Sequence, residues 1–572
     1  MPALRSGAQA FCDVLQESGV DCVFGLPGTQ TVGLYEALRV SAIRTIVPTH
    51  ELSAAFMANG YARASGRVGV LLTIPGPGFA FALAGLAEAR LDGVAVVHVT
   101  LTPARGPTGE PAFQALDQAA IARPLVKAVL RADSRAELPG VVRRALALAK
   151  AADAGPVFVE FTGEALRNEA AEGRGGARDD VALASVTPPS TERELDGVVE
   201  MVAAARHPAI FVACECTASA ALLASVATKG RVPVFVPPPS RGAVPEDHPW
   251  TLCFDDQRTP FAHMESVLAL VDLVVVLGTR LSHVSTAGFR LKLPPERVVC
   301  ISESGAGLPH GYSARTTVLG TPAEMLSRLE RAAPRFISNW TASELADWRD
   351  RFARDCPADP PEPVVEDGMP AAFFAAVRSA LPRDAFLVTD SGLHQVLVRR
   401  HYPVLCPAGL VLPSDFQSMG FGLPAAIGAK VAAPERAVVV VMGDGGFAMS
   451  GLELLTAARE RVPVVVIVFN DGQLNLIRLK QLREFGRSHG VELKCPDFER
   501  FADAVGVRYR TTSGDVARTL EEALSSKEPT LIEVIVGDSR SIRRVKARSF
   551  AREQVRNALG PRLVRGLKQL LR

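Results

Sequence analysis

Residues 438–478 read VVVVMGDGGFAMSGLELLTAARERVPVVVIVFNDGQLNLIR. The runs VVVVM and VVVIVF are too apolar to alternate and are of strand length, as expected of strands covered on both faces of a parallel sheet. Between them lie a glycine-rich turn carrying one acid, Asp444, and a helical stretch; the second run ends at Asn470 and Asp471. The whole is a βαβ unit.

Gly443, Gly445 and Gly446 around Asp444 let the backbone turn sharply and bring bare N–H groups close to an anion, and the helix that follows points its N-terminus at the same place. Asp471 stands 27 positions after Asp444. Adjacent parallel strands would bring both carboxylates to one sheet edge. Carboxylates beside a bound phosphate suit Mg²⁺, which dehydrates reluctantly and takes few protein ligands. A Gly-Asp-Gly tripeptide alone is an ordinary strand–helix turn, and the spacing to Asn-Asp is what makes it specific.

That spacing resembles the thiamine diphosphate (ThDP) fingerprint of the acetolactate synthase and pyruvate decarboxylase superfamily. The resemblance implies that Asp444, Asp471 and the carbonyl of Gln473 hold the metal against the cofactor diphosphate. Many members carry Asn where Asp471 stands, a departure associated with the catabolic acetolactate synthase branch. The upstream run IGAKVAAPERAVVVVMGDGG, with Pro434, fits the same signature.

A chain of 572 residues suggests about three domains. With 48% hydrophobic and 6% aromatic residues and a formal net charge of +2, it reads as globular α/β, with no indication of nucleic acid or an anionic membrane as partner. Nine scattered cysteines without a CxxC pair suggest a reducing compartment, and Cys214 and Cys216 lack the further ligands of a zinc site. No leader and no long apolar run stands out, so a cytoplasmic protein is expected. The basic segment 541–572, SIRRVKARSFAREQVRNALGPRLVRGLKQLLR, is read as a solvated helix.

Taken in order, DCVFGLPG reads as a strand and turn similar to the VFGYPG of acetolactate synthases, which implies that Gly28 faces the cofactor, with Thr29 where many members have a second glycine. A helix is expected from about His50 to Ser65, closed by Gly66. An acid in its first turn, Glu51, would by itself serve only the helix dipole, worth about 0.3–1 kcal/mol. HE followed by AxxMAxGYARxxG, however, is the family's N-terminal motif. It implies that Glu51 hydrogen-bonds the aminopyrimidine of ThDP and acts as acid and base through that ring. The segment AFQALDQAAIARPLVK parallels the family's AFQExD…RPxxK, which puts Gln114 in the site; Ala115 replaces the usual acid, and Lys127 is read as structural. In TIPGPGFAFAL, the paired histidines of simple decarboxylases are missing, and Phe79 and Phe81 are expected to intrude on the site, suggesting a bulkier substrate.

Residues 167–190 read as a linker, followed by a middle α/β unit with no GxGxxG, which argues against a nicotinamide site. Its LGTRLSHVSTAG resembles the GARFDDRVTG of flavin-containing acetohydroxyacid synthases at Gly278 and Arg280 but lacks FDD, so FAD is possible and not implied. A second linker is expected over about 341–368. TDSGLHQVLVRRHY is similar to the family's TDxGQHQMWAAQYY, implying a phosphate contact for His394, with Leu393 replacing a glutamine. SMGFGLPAAIGA nearly matches the consensus in which a bulky residue, here Met419, wedges between the cofactor rings. Ile477, in a segment like NDGxYGMIxxKQxxxFG, would lie above the thiazolium, with residues 478–490 as a cap.

The resulting expectation is three doubly wound parallel-sheet α/β domains: a ThDP pyrimidine-binding domain (1–168), a central domain (190–340) and a ThDP diphosphate-binding domain (365–540). By resemblance the protein is a homodimer or homotetramer with its site at the subunit interface. It would decarboxylate a 2-oxo acid, pyruvate favoured, and join the two-carbon unit to a second carbonyl. Non-ligating decarboxylation or 2-hydroxyacyl-CoA cleavage is the alternative, and a catalytically silent scaffolding subunit is the reading from another class.

Overall fold

A computed structural model describes residues 6–102, 113–167, 190–213, 219–304, 308–357, 370–512 and 515–536. The body of the first expected linker, Cys214 and Cys216, and the basic segment 541–572 lie outside the described residues.

Among the described residues the strands form three six-stranded sheets, with neighbours paired in parallel throughout. The first contains β1 (Cys22–Gly25), β2 (Arg44–Ile46), β3 (Gly69–Leu72), β4 (Val96–Leu101), β5 (Ala128–Ala132) and β6 (Val157–Phe161), in the order β2-β1-β3-β4-β6-β5. The middle sheet contains β7 (Pro208–Val212), β8 (Val234–Val236), β9 (Thr251–Cys253), β10 (Leu273–Leu277), β11 (Val298–Ser302) and β12 (Thr316–Leu319), ordered β12-β11-β10-β7-β8-β9. The third contains β13 (Phe386–Thr389), β14 (Leu410–Val411), β15 (Val438–Gly443), β16 (Val465–Asn470), β17 (Arg508–Thr511) and β18 (Thr530–Ile535), ordered β14-β13-β15-β16-β18-β17. Counted within their own units, the first and third sheets share one strand order. Central strands such as LVVVL and VVIVF are buried along their length because helices cover both faces.

The helix Glu51–Ser65 begins where His50 Nδ1 accepts the Leu52 N–H at 3.1 Å and ends at Gly66 in the left-handed region, φ 67°. It packs against the helix Gly422–Ala432 of the third unit. The contact is close enough that a Cβ on Gly60 would lie 2.0 Å from the Ala425 carbonyl oxygen, and one on Gly428 would lie 1.9 Å from that of Met57. Phe56, Met57, Phe421 and Ile427 there belong to one apolar core shared by the two units.

The second linker begins later than expected. Residues Ala342–Arg354 form a helix capped by Thr341, whose side chain accepts the Glu344 N–H at 3.1 Å. Leu345, Trp348 and Phe352, spaced three and four apart, enter the middle core, and Trp340 Nε1 donates to the Pro208 carbonyl at 2.9 Å. The prolines that suggested a linker lie downstream of this helix. The middle and third units are further joined by the buried ion pair of Arg399 with Asp255 at 2.7 Å and by Arg241 of the middle unit, which is paired to Glu246 in its own unit and whose Nη1 donates to the Arg399 carbonyl at 2.7 Å. Lys127 Nζ donates to the carbonyls of Leu148, Ala151 and Ala152, at the end of the helix Leu138–Lys150. No helix among the described residues is long and apolar enough to cross a membrane.

Candidate active site

The third sheet opens a cleft at the carboxyl ends of its central strands. β15 and β16 pair in parallel with Gly443 opposite Phe469, so the residues that follow each strand are neighbours. Asp444 begins the helix Asp444–Ser450 immediately after β15. Its Oδ2 accepts the N–H of Gly472 at 2.6 Å and of Asp471 at 3.2 Å, and its Oδ1 accepts that of Gly445 at 2.7 Å. Asp471 Oδ1 in turn accepts the Gln473 N–H at 2.9 Å. Burial, and then the charge of Asp444, push the Asp471 carboxyl up to about 6. Two carboxylates held this close repel, and a divalent cation between them would relieve the repulsion. Among the described residues no group of three or more His, Cys, Asp and Glu assembles, so a cation here would complete its shell from backbone carbonyl, phosphate and water. That donor set fits Mg²⁺. Cys495 donates its thiol to Asp444 Oδ2 at 3.2 Å; burial, followed by the neighbouring acids, pushes that thiol up to about 12 and keeps it protonated.

The opposite wall is organised by Asp390, which follows β13 and has no prominent sequence signal beyond the TDSG string. Its side chain is fully buried and accepts the N–H groups of Ser391 at 2.8 Å and Gly420 at 2.9 Å. Burial pushes it up to about 7 despite these donors. Only glycine fits at 446, where a Cβ would lie 2.2 Å from Asp390 Oδ2. His394, on the helix Leu393–His401, places Nε2 2.9 Å from the Asp390 carbonyl, which accepts the Nε2–H. Burial lowers this imidazole to about 4, so it is neutral and presents Nδ1 towards Gly443, where a Cβ would be 3.2 Å away.

Met419, Leu474 and Ile477 complete the cleft, together with Gly443, Asp444, Gly445, Gly446, Asp471, Gln473 and His394. About 690 Å³ of empty space lies between them, part of it open to solvent. Ile477 is 44% exposed, on the helix Asn475–Phe485, which buries none of its residues and stands as a rim.

Gly28, Glu51 and Gln114 are placed elsewhere, around the turn from Ile74 to Gly78 at the carboxyl end of β3. A Cβ on Gly78 would lie 3.2 Å from Glu51 Oε1, one on Gly28 2.5 Å from Ile74, and one on Gly76 2.5 Å from the Gln114 carbonyl oxygen. Gln30 Nε2 donates to Gln114 Oε1 at 2.6 Å, and Gln114 itself has φ 65°. None of these three residues lines the cleft of the third unit. Phe79 corrects its expectation: it is fully buried against His98 and Phe158, facing the core. Phe81 stays 52% exposed, its ring 5.0 Å from that of His50. Gly278 and Arg280, where flavin was considered, line a second cleft between the first and middle units, in which Thr279 donates to Asp153 at 2.6 Å.

Three family descriptions match the chain in order. Thiamine pyrophosphate enzyme N-terminal TPP binding domain matches residues 5–121, the central domain residues 195–329, and the C-terminal TPP binding domain residues 390–534. The chain belongs to the thiamine pyrophosphate enzymes. Its relatives among these enzymes include the acetolactate synthase large subunit of Lactococcus lactis, 28% identical over 94% of this chain and 93% of that protein. The probable acetolactate synthase large subunit of Methanocaldococcus jannaschii is 28% identical over 94% and 93%, and acetolactate synthase isozyme 3 large subunit of Escherichia coli 28% over 88% and 89%. As in thiamine pyrophosphate enzymes generally, the cofactor is ThDP, and the glycine-flanked Asp444 lies inside the matched C-terminal binding domain.

Proposed function

We propose that this protein decarboxylates a 2-oxo acid, pyruvate favoured, with ThDP and Mg²⁺, and joins the resulting two-carbon unit to the carbonyl of a second 2-oxo acid or an aldehyde. The observation that carries the reading is the pairing of Asp444 and Asp471 at the ends of adjacent strands, under an apolar rim of Met419, Leu474 and Ile477. The names of the acetolactate synthase relatives support the same chemistry. When bound, ThDP supplies a nucleophilic carbon that accepts the acyl unit and stabilises the charge left by CO₂.

This chain's residues contribute the rest. Asp444, Asp471 and the Gln473 carbonyl would hold the cation against the cofactor's diphosphate, and the N–H groups at the start of the helix Asp444–Ser450 would face that anion. Glu51 would hold the proton that it shares with the cofactor's pyrimidine ring. Met419 would pack against the bound cofactor, and Ile477 and its helix would exclude water so that ligation competes with protonation. The overall conversion is redox-neutral and needs no flavin.

The Glu51 cluster and the Asp444 cleft are separate within one chain, and exposed apolar residues flank both, Phe81 at 52% and Met449 at 65%. This supports a homodimer, or a homotetramer built as a dimer of dimers, in which Glu51 of one copy completes the cleft of another. All described cysteines are free, which suits the cytoplasm.

The test is mass spectrometry of products from labelled pyruvate with ThDP and Mg²⁺, with and without added 2-oxo acids and aldehydes. Labelled acetolactate or a mixed acyloin is expected. Acetaldehyde with CO₂ would make the protein a simple decarboxylase, and absence of CO₂ would remove pyruvate as donor.

A further inference from the structure

Glu88 lies near the end of the helix Pro77–Asp92, fully buried where the three units meet. Its Oε2 accepts the Ser418 N–H at 2.9 Å, across from the first unit to the third. Its Oε1 is buried without a hydrogen-bond partner, and so is the nearby Ser418 hydroxyl. The neighbouring group is another carboxyl, Asp92, one turn along the same helix.

The two acids differ in their donors. Asp92 receives Arg63 Nη2 at 2.5 Å, the Ser414 and Asp415 N–H groups at 3.1 Å each, and the Ser414 hydroxyl. Glu88 receives the Ser418 amide. A single proton shared by the pair therefore belongs on Glu88, where Oε1–H finds Asp92 as its acceptor and the orphaned oxygen is satisfied. Two further charged groups stand at this junction, both tied to the middle unit: Asp415, whose Oδ1 accepts the Val284 N–H at 3.2 Å, and Arg280, which lines the same cleft as Arg63 and Asp92.

Ser418 begins the turn that carries Met419. On the far side of that methionine the Gly420 N–H is held by Asp390 at 2.9 Å. The wedge residue thus sits between two buried acids from two different units. We propose that Glu88 is a positioning residue: as a neutral acid donating to Asp92, it fixes the Ser418–Gly420 turn and with it the place of Met419 in the cofactor cleft. The proposal rests on the reading of that cleft given above.

The charge balance agrees. Burial, then the charge of Asp92, push Glu88 up to about 8, while Arg63 and the Ser414 donors overcome burial and hold Asp92 below the usual carboxylate range. A carboxyl raised in the folded state costs stability progressively as pH rises from its unfolded value near 4.5 to about 8, because only the unfolded chain releases the proton in that window.

Full-length wild type, Glu88→Gln and Glu88→Ala would be compared by thermal unfolding from pH 5 to 8.5 and by calorimetric titration with ThDP and Mg²⁺. The glutamine keeps an acceptor for Ser418 and a donor for Asp92 but cannot ionise. Its midpoint should match wild type at pH 5 and exceed it by several degrees at pH 8. At pH 7 it should bind ThDP within about twofold of wild type, whereas Glu88→Ala binds roughly tenfold more weakly, as expected of a displaced wedge. Parallel stability profiles for wild type and Glu88→Gln would overturn the shared proton. ThDP affinity unchanged in Glu88→Ala would overturn the positioning role. If wild type binds no ThDP, the cofactor reading fails, and with it the positioning role, while the stability profiles still decide the proton.

Discussion

A buried carboxylate is worth its desolvation only when donors surround it, and Asp390 has them in the backbone of two separate segments. Asp390→Ala should leave those N–H groups without an acceptor, costing about 2–4 kcal/mol in urea unfolding. Glu51 makes the opposite case, since its proposed role is chemical. Glu51→Gln should fold, bind ThDP and Mg²⁺ in calorimetry, and lose roughly 10²–10⁴-fold in CO₂ release from pyruvate. The histidine at 394 shows how one hydrogen bond sets a role: with Nε2–H committed to a carbonyl, the ring offers the cleft an acceptor. A phosphate contact through that nitrogen would first require protonation, against the burial that lowers it to about 4.

At the scale of elements, the helix pair Glu51–Ser65 and Gly422–Ala432 is held at backbone distance by Gly60 and Gly428. Gly60→Val would drive a side chain into a carbonyl and should lower stability by about 3 kcal/mol or more, read from the urea midpoint. Cutting the ion pair between units, Asp255→Ala, leaves buried Arg399 with only Asp256 at 3.0 Å as its carboxylate and removes an acid 3.6 Å from buried Arg241, and should cost about 3 kcal/mol in the same measurement. Much of this architecture was legible in the sequence. Parallel strands buried on both faces leave unbroken apolar runs, and a strand–turn–helix with its acid at the strand end leaves Gly-Asp-Gly, so β15, β16, Asp444 and Asp471 could be placed from residues alone. The helix Ala342–Arg354 is hidden by the proline-rich stretch downstream of it, although Thr341, Glu344 and the spacing of Leu345, Trp348 and Phe352 carry its signal. Phe79 was misread because position in a motif does not say which way a helical side chain points. The roles of Glu88 and Asp390 are not legible in the sequence, because each accepts a backbone amide, of Ser418 and Gly420, from a segment distant in the chain, and no local pattern records such a meeting.

For the whole molecule, separation of the Glu51 cluster from the Asp444 cleft makes the number of copies a matter of chemistry. Glu51→Gln and Asp444→Asn chains should each be inactive alone. Co-expressed, random pairing yields mixed dimers with one intact site, and CO₂ release should recover to about a quarter of wild type. No recovery would mean that both residues serve within one chain. The shared strand order of the first and third sheets bears on the same point. Each has its helix of contact between its second and third strands, and Gly60 meets Ala425 while Gly428 meets Met57. This is a pseudo-twofold contact between like elements, of the kind that ordinarily joins identical copies, here written twice into one polypeptide. Because each half is encoded separately, each could diverge: one keeps an acid at the head of its helix, the other a glycine-lined anion cradle. What binds where the acid of one half meets the cradle of the other, supplied by a second copy, must itself be lopsided, with a protonatable ring at one end and a charged tail at the other.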